Sequence, residues 1–166
     1  MGRGPGPAYG AGMQINGSTI LVTGASGGLG GAMCRELAGR GARLVVTARR
    51  EALLADLAAE IGAEVLVADL TDRADVHRVA DRAADCDVLV ANAGVGGRPG
   101  PVEAVSIDDF RSTMETNLYG VVRCVQAVLP SMRERGAGTI VATSSQAGRF
   151  TSPMMPVYSA SKYALE

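Results

Sequence analysis

Tyr158 and Lys162 stand four residues apart in the stretch "PVYSASKYALE", which ends the 166-residue sequence. Residues at this spacing lie on one face of a helix, so a phenol and an ammonium group come side by side. A free phenol loses its proton only at about pH 10, and a neighbouring positive charge stabilises the phenolate. The pair could therefore transfer a proton near neutral pH. Taken alone, the spacing is better explained by an ordinary pair on an exposed helix face, which is common.

A glycine-rich stretch, "TGASGGLGG" at residues 23–31, follows directly after an apolar segment. Glycines at such a turn let the backbone bend sharply and approach a pyrophosphate, whose charge meets the N-terminus of the next helix. The stretch fits two patterns, one with Gly24, Gly28 and Gly30 and the other with Gly27 in place of Gly28. It indicates dinucleotide binding, although a simple strand-to-helix turn would have the same composition.

Apolar runs alternate with helix-like segments along the rest of the chain. The runs are continuous, as expected when both faces of a sheet are covered, and every crossover is long enough for a helix. We therefore predict a doubly wound parallel α/β sheet, with nucleotide chemistry at the carboxyl ends of its strands. The predicted strands are 18–23, 44–48, 64–68, 87–91 and 139–144. The first predicted helix follows the glycine-rich turn and ends at Gly41, and the others span 50–61, 73–84 and 106–132.

The composition describes one domain with a sizeable apolar core, since 47% of the residues are hydrophobic and 20% are charged. A net charge of -1 without a basic patch argues against a nucleic-acid partner. We expect a cytoplasmic protein with no membrane partner, because no long apolar run and no signal-peptide core is present. Cys34, Cys86 and Cys124 are odd in number and widely spaced, which argues against disulfides and a metal site. Residues 1–13, rich in Gly and Pro, are predicted to be a disordered arm ahead of the domain at 14–166.

Six short motifs, in order, resemble the short-chain dehydrogenase/reductase family in its shorter single-domain branch. They are the glycine-rich turn, "ADL" at 68–70, "ANAG" at 91–94, Asn117, "SS" at 144–145 and "YSASK" at 158–162. The resemblance runs from about Gln14 to the last residue. It implies a Rossmann fold, a nicotinamide cofactor, and hydride transfer between an alcohol and a ketone or aldehyde. Ala91 departs from the family pattern, which more often has Asn there.

The resemblance also implies a catalytic set. Tyr158 would give its proton to the new alkoxide, while Lys162 would support the phenolate and hold the nicotinamide ribose. Ser145, thirteen residues before Tyr158, would stabilise the charge that develops on the substrate oxygen, and Ser144 would end the strand, unless both serines merely cap the turn. Asn117 would hold a water in a proton relay to Lys162, or it could equally be a satisfied core amide.

The cofactor-binding residues that the resemblance implies follow the predicted strands. Asp69 would contact the adenine and could also cap the next helix. Where an NAD enzyme would place an acidic residue, the chain has Ala48 and then Arg49. Arg49, helped by Ser26, could pair with a 2′-phosphate, so we predict NADP(H) over NAD(H), with an exposed helix-opening arginine as the alternative. The predicted cofactor-binding set is Gly24, Ser26, Gly28, Leu29, Gly30, Arg49, Asp69, Leu70, Asn92, Ala93, Gly94, Tyr158 and Lys162.

The sequence leaves the substrate open. Phe150, Met154 and Met155 in loop 148–156 suggest an apolar pocket wall, although they could equally pack the loop. Two other functions are compatible with the fold: a catalytically silent dinucleotide-binding regulatory protein, and a nucleotide-sugar epimerase or dehydratase of the family's longer branch. The complete Asn, Ser, Tyr and Lys set disfavours the first, and the "ANAG" motif disfavours the second.

Only four residues follow Lys162, whereas members of the resembled family continue through two further strands and their helices. We therefore expect a domain that is incomplete at its C-terminus and whose full-length form is a homo-oligomer. Alone, the chain should bind NADP(H) weakly and show no turnover, because so short a helix is marginal unless packing holds it. The fifth strand should be an unprotected edge that promotes aggregation or self-association.

Overall fold

The computed structural model of the protein describes residues 13–166. The disordered arm predicted at residues 1–13 therefore lies, apart from Met13, outside the described residues. The strands are β1 (Thr19–Thr23), β2 (Arg43–Ala48), β3 (Glu64–Val67), β4 (Val88–Ala91) and β5 (Thr139–Ala142). The helices are α1 (Gly28–Gly39), α2 (Glu51–Ile61), α3 (Arg73–Ala83), α4 (Ile107–Met114), α5 (Gly120–Arg135) and α6 (Pro156–Leu165).

The five strands form one parallel sheet in the order β3-β2-β1-β4-β5. Leu21, on the central strand, packs on one face with apolar residues of α3 and α5. Its neighbours Ile20 and Val22 pack on the other face with residues of α1 and α2. The predicted doubly wound parallel sheet is confirmed. Because the strand order reverses between β1 and β4, a crevice is expected at the carboxyl ends of these two strands.

The single long helix predicted at 106–132 differs from the structure in two ways. It ends three residues later, at Arg135, where Gly136 adopts a left-handed conformation with φ of 66°. It is also interrupted by a π-helical turn, Glu115–Tyr119, that joins α4 to α5. Ser106 lies just outside the helix, as its N-cap, in a reciprocal capping pair with Asp109. The π-helical turn was missed because the hydrophobic spacing around it is helical throughout.

The strand β5 is an edge of the sheet within the described part of the chain. It pairs with β4 alone, and Val141 on it is 46% exposed. The exposed apolar edge predicted from the sequence is therefore present. Among residues 13–166, no helix combines the length and the apolar character that crossing a membrane requires.

The three cysteines are buried and unpaired. Cys34 lies in α1 and Cys124 in α5, while Cys86 precedes β4. Burial raises the pKa of each thiol to about 11, so all three remain protonated at neutral pH. Within residues 13–166, no group of three or more His, Cys, Asp and Glu side chains is arranged to hold a metal ion.

Candidate functional site

An open cleft of ≈ 720 Å³ lies at the carboxyl ends of the strands. It collects every residue of the predicted site except Asn117, which is buried behind its wall. The wall is made by Gly24 and residues 26–30 after β1, 47–50 at β2, 68–71 after β3, 92–96 after β4 and 143–145 after β5, with Thr116, Met155, Tyr158 and Lys162.

The glycine-rich turn is fixed by close backbone approach at two of its glycines. Gly24 has φ of 68°, and a Cβ atom there would lie 2.7 Å from Cα of Ala93. A Cβ atom on Gly30 would overlap the carbonyl oxygen of Gly24. Gly28 is different, because a Cβ atom there would meet no atom within 4 Å. Both glycine patterns therefore share the two positions that packing requires, and the structure leaves open space in front of Gly28.

The N-terminus of α1 is arranged to receive a negative charge. Its N-cap is Gly27, which offers no side-chain hydrogen bond, and its first turn contains no acidic residue. The first backbone N–H groups of a helix have no partner within the helix and carry a partial positive charge. Because Gly27, Gly28 and Leu29 line the cleft, these donors are available to a bound anion. The residues present thus fit the pyrophosphate of a dinucleotide.

Thr23 and Asn92 connect the glycine-rich turn to the loop after β4. The Thr23 hydroxyl accepts hydrogen bonds from the backbone N–H groups of Asn92 and Ala93, each at 3.0 Å. The Asn92 side-chain amide donates to the carbonyl oxygen of Thr23 at 3.1 Å. Asn92 therefore supports the turn. Thr23 was not among the predicted site residues, although its place directly before Gly24 was the available signal.

Asp69 shapes the loop after β3 and does not cap a helix. Its carboxylate accepts from the backbone N–H and the hydroxyl of Thr71, at 2.9 and 2.8 Å. The N-cap of α3 is Asp72, which accepts from the N–H groups of Ala74 and Asp75. The predicted capping role of Asp69 is therefore wrong, because the helix starts three residues later. The Asp69 N–H donates to the Asp75 carboxylate at 2.7 Å, which ties this loop to α3.

Two arginines, Arg49 and Arg50, line the cleft at the end of β2. Both are exposed, and Arg50 occupies the N-cap position of α2. A guanidinium nitrogen of Arg50 donates to the carbonyl oxygen of Ser26 at 2.8 Å, which connects this arginine to the glycine-rich turn. Sequence reasoning singled out Arg49 and missed Arg50, although the "RR" doublet was visible.

Tyr158 and Lys162 lie one turn apart in α6, as their spacing predicts. The Lys162 ammonium nitrogen is 5.9 Å from the centre of the Tyr158 ring. Lys162 is only 4% exposed, and its Nζ donates to the carbonyl oxygen of Thr143 at 2.7 Å. Burial lowers the pKa of Lys162. No carboxylate in the described residues forms a salt bridge with it, so its charge faces the phenol without a competing partner.

The two serines after β5 have different surroundings. Ser145 lines the cleft and also caps a short 3-10 turn, Gln146–Gly148, accepting from the Ala147 N–H at 3.2 Å. The Ser144 hydroxyl is buried and has no hydrogen-bond partner in residues 13–166. The prediction that Ser144 ends the strand is wrong, because β5 ends at Ala142.

Asn117 lies at the centre of the π-helical turn and is fully buried. Its amide pairs with both backbone groups of Val95, accepting at 2.7 Å and donating at 2.9 Å. It also donates to the Ser161 hydroxyl at 2.9 Å. Asn117 is therefore a satisfied core amide, the alternative that the sequence left open; its predicted role as a water holder stays a prediction.

Of the apolar residues predicted to form a pocket wall, only Met155 lines the cleft. Phe150 and Met154 are 64% and 53% exposed and lie outside the lining. The Met154 carbonyl oxygen accepts from the Gly100 N–H at 2.9 Å, so the loops after β4 and β5 meet beside the cleft.

Comparison with known proteins gives a consistent result. The family model for the short chain dehydrogenases matches residues 18–166. Sulfoacetaldehyde reductase 2 of Chromohalobacter salexigens is 38% identical over 152 residues, covering 86% of this chain and 60% of the relative. NADPH-dependent pterin aldehyde reductase of Arabidopsis thaliana is 35% identical over 156 residues, covering 89% and 64%.

The fold comparison agrees with the sequence comparison. The solved structure of a short chain dehydrogenase/reductase from Burkholderia phymatum in complex with NAD superposes with a TM-score of 0.85 at 32% identity. The match covers 92% of this chain and 58% of that one. The chain thus spans between 58% and 64% of the length of these three proteins.

Proposed function

Because this chain belongs to the short chain dehydrogenase family, we propose that it forms the cofactor site and catalytic residues of an NADP(H)-dependent oxidoreductase. The substrate would be a small alcohol, ketone or aldehyde. The observation that carries the proposal is a single cleft in which Ser145, Tyr158 and Lys162 lie together with the glycine-rich turn. When bound, the nicotinamide would supply or accept the hydride.

The chain's own residues would handle the proton and the developing charge. In the reducing direction, the Tyr158 hydroxyl gives its proton to the alkoxide oxygen, and the Ser145 hydroxyl donates a hydrogen bond to the same oxygen. Lys162 stabilises the phenolate that remains, because its ammonium is held near the ring with no paired carboxylate in the described residues. One of its N–H groups is used by Thr143, which leaves two for the cofactor ribose.

The proposed preference for NADP(H) is supported by charge at the end of β2. The strand ends at Ala48, no acidic residue occupies positions 48–50, and Arg49 and Arg50 both line the cleft. A guanidinium group can bind a phosphate through two parallel hydrogen bonds. The Arabidopsis thaliana relative is named as NADPH-dependent, whereas the solved structure from Burkholderia phymatum holds NAD, so the cofactor preference depends on the residues of this chain.

Replacing Tyr158 tests the reaction. In a form of the protein that turns over a carbonyl compound, Tyr158→Phe keeps the ring and removes the proton. Turnover should fall by roughly 10²–10⁴-fold or more, while the Kd for NADP(H) stays within about twofold. Lys162→Ala should lower turnover and also weaken the binding of NADP(H). The measurement is the absorbance change at the nicotinamide band with a panel of alcohols, ketones and aldehydes; two relatives are named as aldehyde reductases, so aldehydes come first.

Two results would overturn this assignment. Turnover by Tyr158→Phe near the wild-type level would show that another group is the acid. Binding of NADP(H) without any turnover across the panel, in a form of the protein that extends beyond residue 166, would favour the catalytically silent regulatory protein.

Replacing the arginines tests the cofactor preference. Arg49→Ala and Arg50→Ala should each reduce the ratio of NAD(H) to NADP(H) dissociation constants by about tenfold or more, since a hydrogen bond to a charged group contributes about 1.5–3 kcal/mol. Arg40→Ala is the matched control, because Arg40 lies at the end of α1 and pairs with Glu36 outside the cleft. An unchanged ratio in both cleft variants would exclude the proposed 2′-phosphate site.

We also propose that residues 1–166, taken alone, self-associate through the edge of β5. The strand presents unpaired backbone groups and the exposed side chain of Val141. Val141→Lys should reduce the mass in solution measured by sedimentation. Val102→Lys introduces the same charge at a 62% exposed residue outside the sheet, so it should leave the mass unchanged. Equal masses for Val141→Lys and the wild type would rule out the edge as the interface.

A further inference from the structure

We infer that Ser161 is a positioning residue of the proposed active site, whose hydroxyl ties Asn117 to the helix that carries Tyr158 and Lys162. The inference rests on the proposed function for its catalytic consequence, whereas the link itself is a property of the fold.

The Ser161 hydroxyl makes two hydrogen bonds from a fully buried position. It accepts from the side-chain amide of Asn117 at 2.9 Å and donates to the carbonyl oxygen of Tyr158 at 2.8 Å. A serine hydroxyl has one donor and two acceptor positions, so both bonds can exist together. Ser161 therefore contacts the π-helical turn on one side and the backbone of Tyr158 on the other.

The Asn117 amide extends this link to the wall of the cleft. Its oxygen accepts from the Val95 N–H, and its second N–H donates to the Val95 carbonyl oxygen. Val95 lies in the same loop after β4 as Asn92 and Gly94, and this loop lines the cleft. Both amide N–H groups of Asn117 are thus used, and removing the Ser161 hydroxyl would leave one of them buried without a partner.

Two side chains therefore hold α6 against the cleft from different directions. Ser161 connects it to the loop after β4 through Asn117, and Lys162 connects it to Thr143 after β5. If the first connection is lost, the helix can shift while still anchored at Lys162, and the Tyr158 hydroxyl moves with it. A misplacement of about 1 Å at a reacting group can reduce a rate by about 10²-fold.

A second serine of α6 provides the matched control. Ser159 is 3% exposed, and its hydroxyl has no hydrogen-bond partner in the described part of the chain. Ser159→Ala and Ser161→Ala therefore remove the same atom from the same helix at similar burial. The variants differ in whether a hydrogen-bonded connection is broken.

The first measurement is the kinetics of an active form of the protein. Ser161→Ala should lower kcat by about tenfold or more with little change in KM, and should displace the pH profile of kcat. Ser159→Ala should stay within about twofold of the wild type and keep the profile. Ser161→Thr retains the hydroxyl and should recover most of kcat. Identical kcat values and profiles for the two alanine variants would overturn the inference.

The second measurement does not depend on turnover. In NMR spectra, the Asn117 side-chain amide protons should exchange slowly with solvent in the wild type and in Ser159→Ala, and faster in Ser161→Ala. A response of this amide, in a form of the protein that extends beyond residue 166 and binds NADP(H) but shows no turnover, would support the link and overturn the proposed function instead. No response would overturn the link. If Ser161→Ala does not fold, Ser161→Cys, with its weaker donor and acceptor, takes its place in both measurements.

Discussion

The two sides of the cleft are held by different kinds of contact. On the dinucleotide side, the backbones of Gly24 and Ala93 approach closely, and the Thr23 hydroxyl binds two successive N–H groups. On the side of the proposed catalytic residues, called the catalytic side below, β5 is half exposed and Lys162 has one hydrogen bond. The first side depends on steric fit, which tolerates no added atom. The second depends on a few polar contacts, so substitutions there should change chemistry more than folding.

The largest expected effect comes from breaking the steric fit with Gly24→Ala. The added Cβ atom would lie 2.7 Å from Cα of Ala93, in a residue whose φ of 68° suits glycine. Backbone strain and overpacking each cost roughly 1–3 kcal/mol, so the variant should lose several kcal/mol of its free energy of unfolding or fail to fold. Urea unfolding followed by circular dichroism measures this loss.

Gly28→Ala is the matched control for this prediction. It adds the same methyl group to the same turn, but no atom lies within 4 Å of the added Cβ. Its stability should be unchanged or raised by about 0.5–1 kcal/mol, because alanine is preferred over glycine in a helix. Equal stability of the two alanine variants would show that the turn is less constrained than its geometry indicates.

The fold could be predicted because its signals are local. Continuous apolar runs and long crossovers identify a parallel sheet, and the observed strands differ from the predicted ones by two residues at most. The π-helical turn Glu115–Tyr119 was not predictable in this way. Asn117 at its centre bonds Val95 and Ser161, which are 22 and 44 residues away in sequence.

In the candidate site, too, residues with a local sequence signal were predicted and residues with only tertiary contacts were missed. The glycine-rich turn and the pair of Tyr158 and Lys162 have fixed spacings, so sequence reasoning identified residues that the structure brings into one cleft. Arg50 and Ser161 were missed because their roles depend on tertiary neighbours. The additional capping role considered for Asp69 belongs to Asp72, because the sequence offers two aspartates, three residues apart, before the same helix.

A second prediction concerns the buried charge of the catalytic side. Burial lowers the pKa of Lys162, so between this lowered pKa and the ordinary value of 10.5 the unfolded chain binds a proton that the folded protein does not. The free energy of unfolding of the wild type should therefore rise with pH across that window. Below it, the charged ammonium opposes folding.

Lys162→Met removes the charge and keeps much of the side-chain volume. At pH 7 the variant should lose turnover, because Lys162 is a proposed catalytic residue, while its free energy of unfolding rises and its Tm increases by a few degrees. Its stability should also lose the rise with pH toward 10.5. Unfolding curves at several pH values measure both effects; a variant less stable than the wild type at pH 7 would mean that the bond to Thr143 outweighs the burial of the charge.

The smallest expected effect concerns Asp75, which supports the dinucleotide side from outside the cleft. The hydrogen bond from the Asp69 N–H, followed by that from Arg78, lowers the pKa of Asp75 below its usual 3.8. Asp75→Ala should raise the Kd for NADP(H) by a factor of about two to five at pH 7, because the loop at Asp69 loses one partly buried hydrogen bond. Asp81→Ala, on the same helix, is the control, since the Asp81 side chain forms no salt bridge within residues 13–166.

The lowered pKa of Asp75 also predicts how the stability difference between Asp75→Ala and the wild type changes in acid. A carboxylate with a lowered folded pKa stabilises the protein above its unfolded value of 3.8, and the contribution is lost as the pH falls through the folded pKa. The stabilities of Asp75→Ala and the wild type should therefore differ at neutral pH and converge in acid, whereas Asp81→Ala should follow the wild type throughout. If the difference between Asp75→Ala and the wild type persisted after Asp75 is protonated, the contribution would come from packing of the side chain, since the neutral acid no longer offers the charged acceptor that the Asp69 N–H binds.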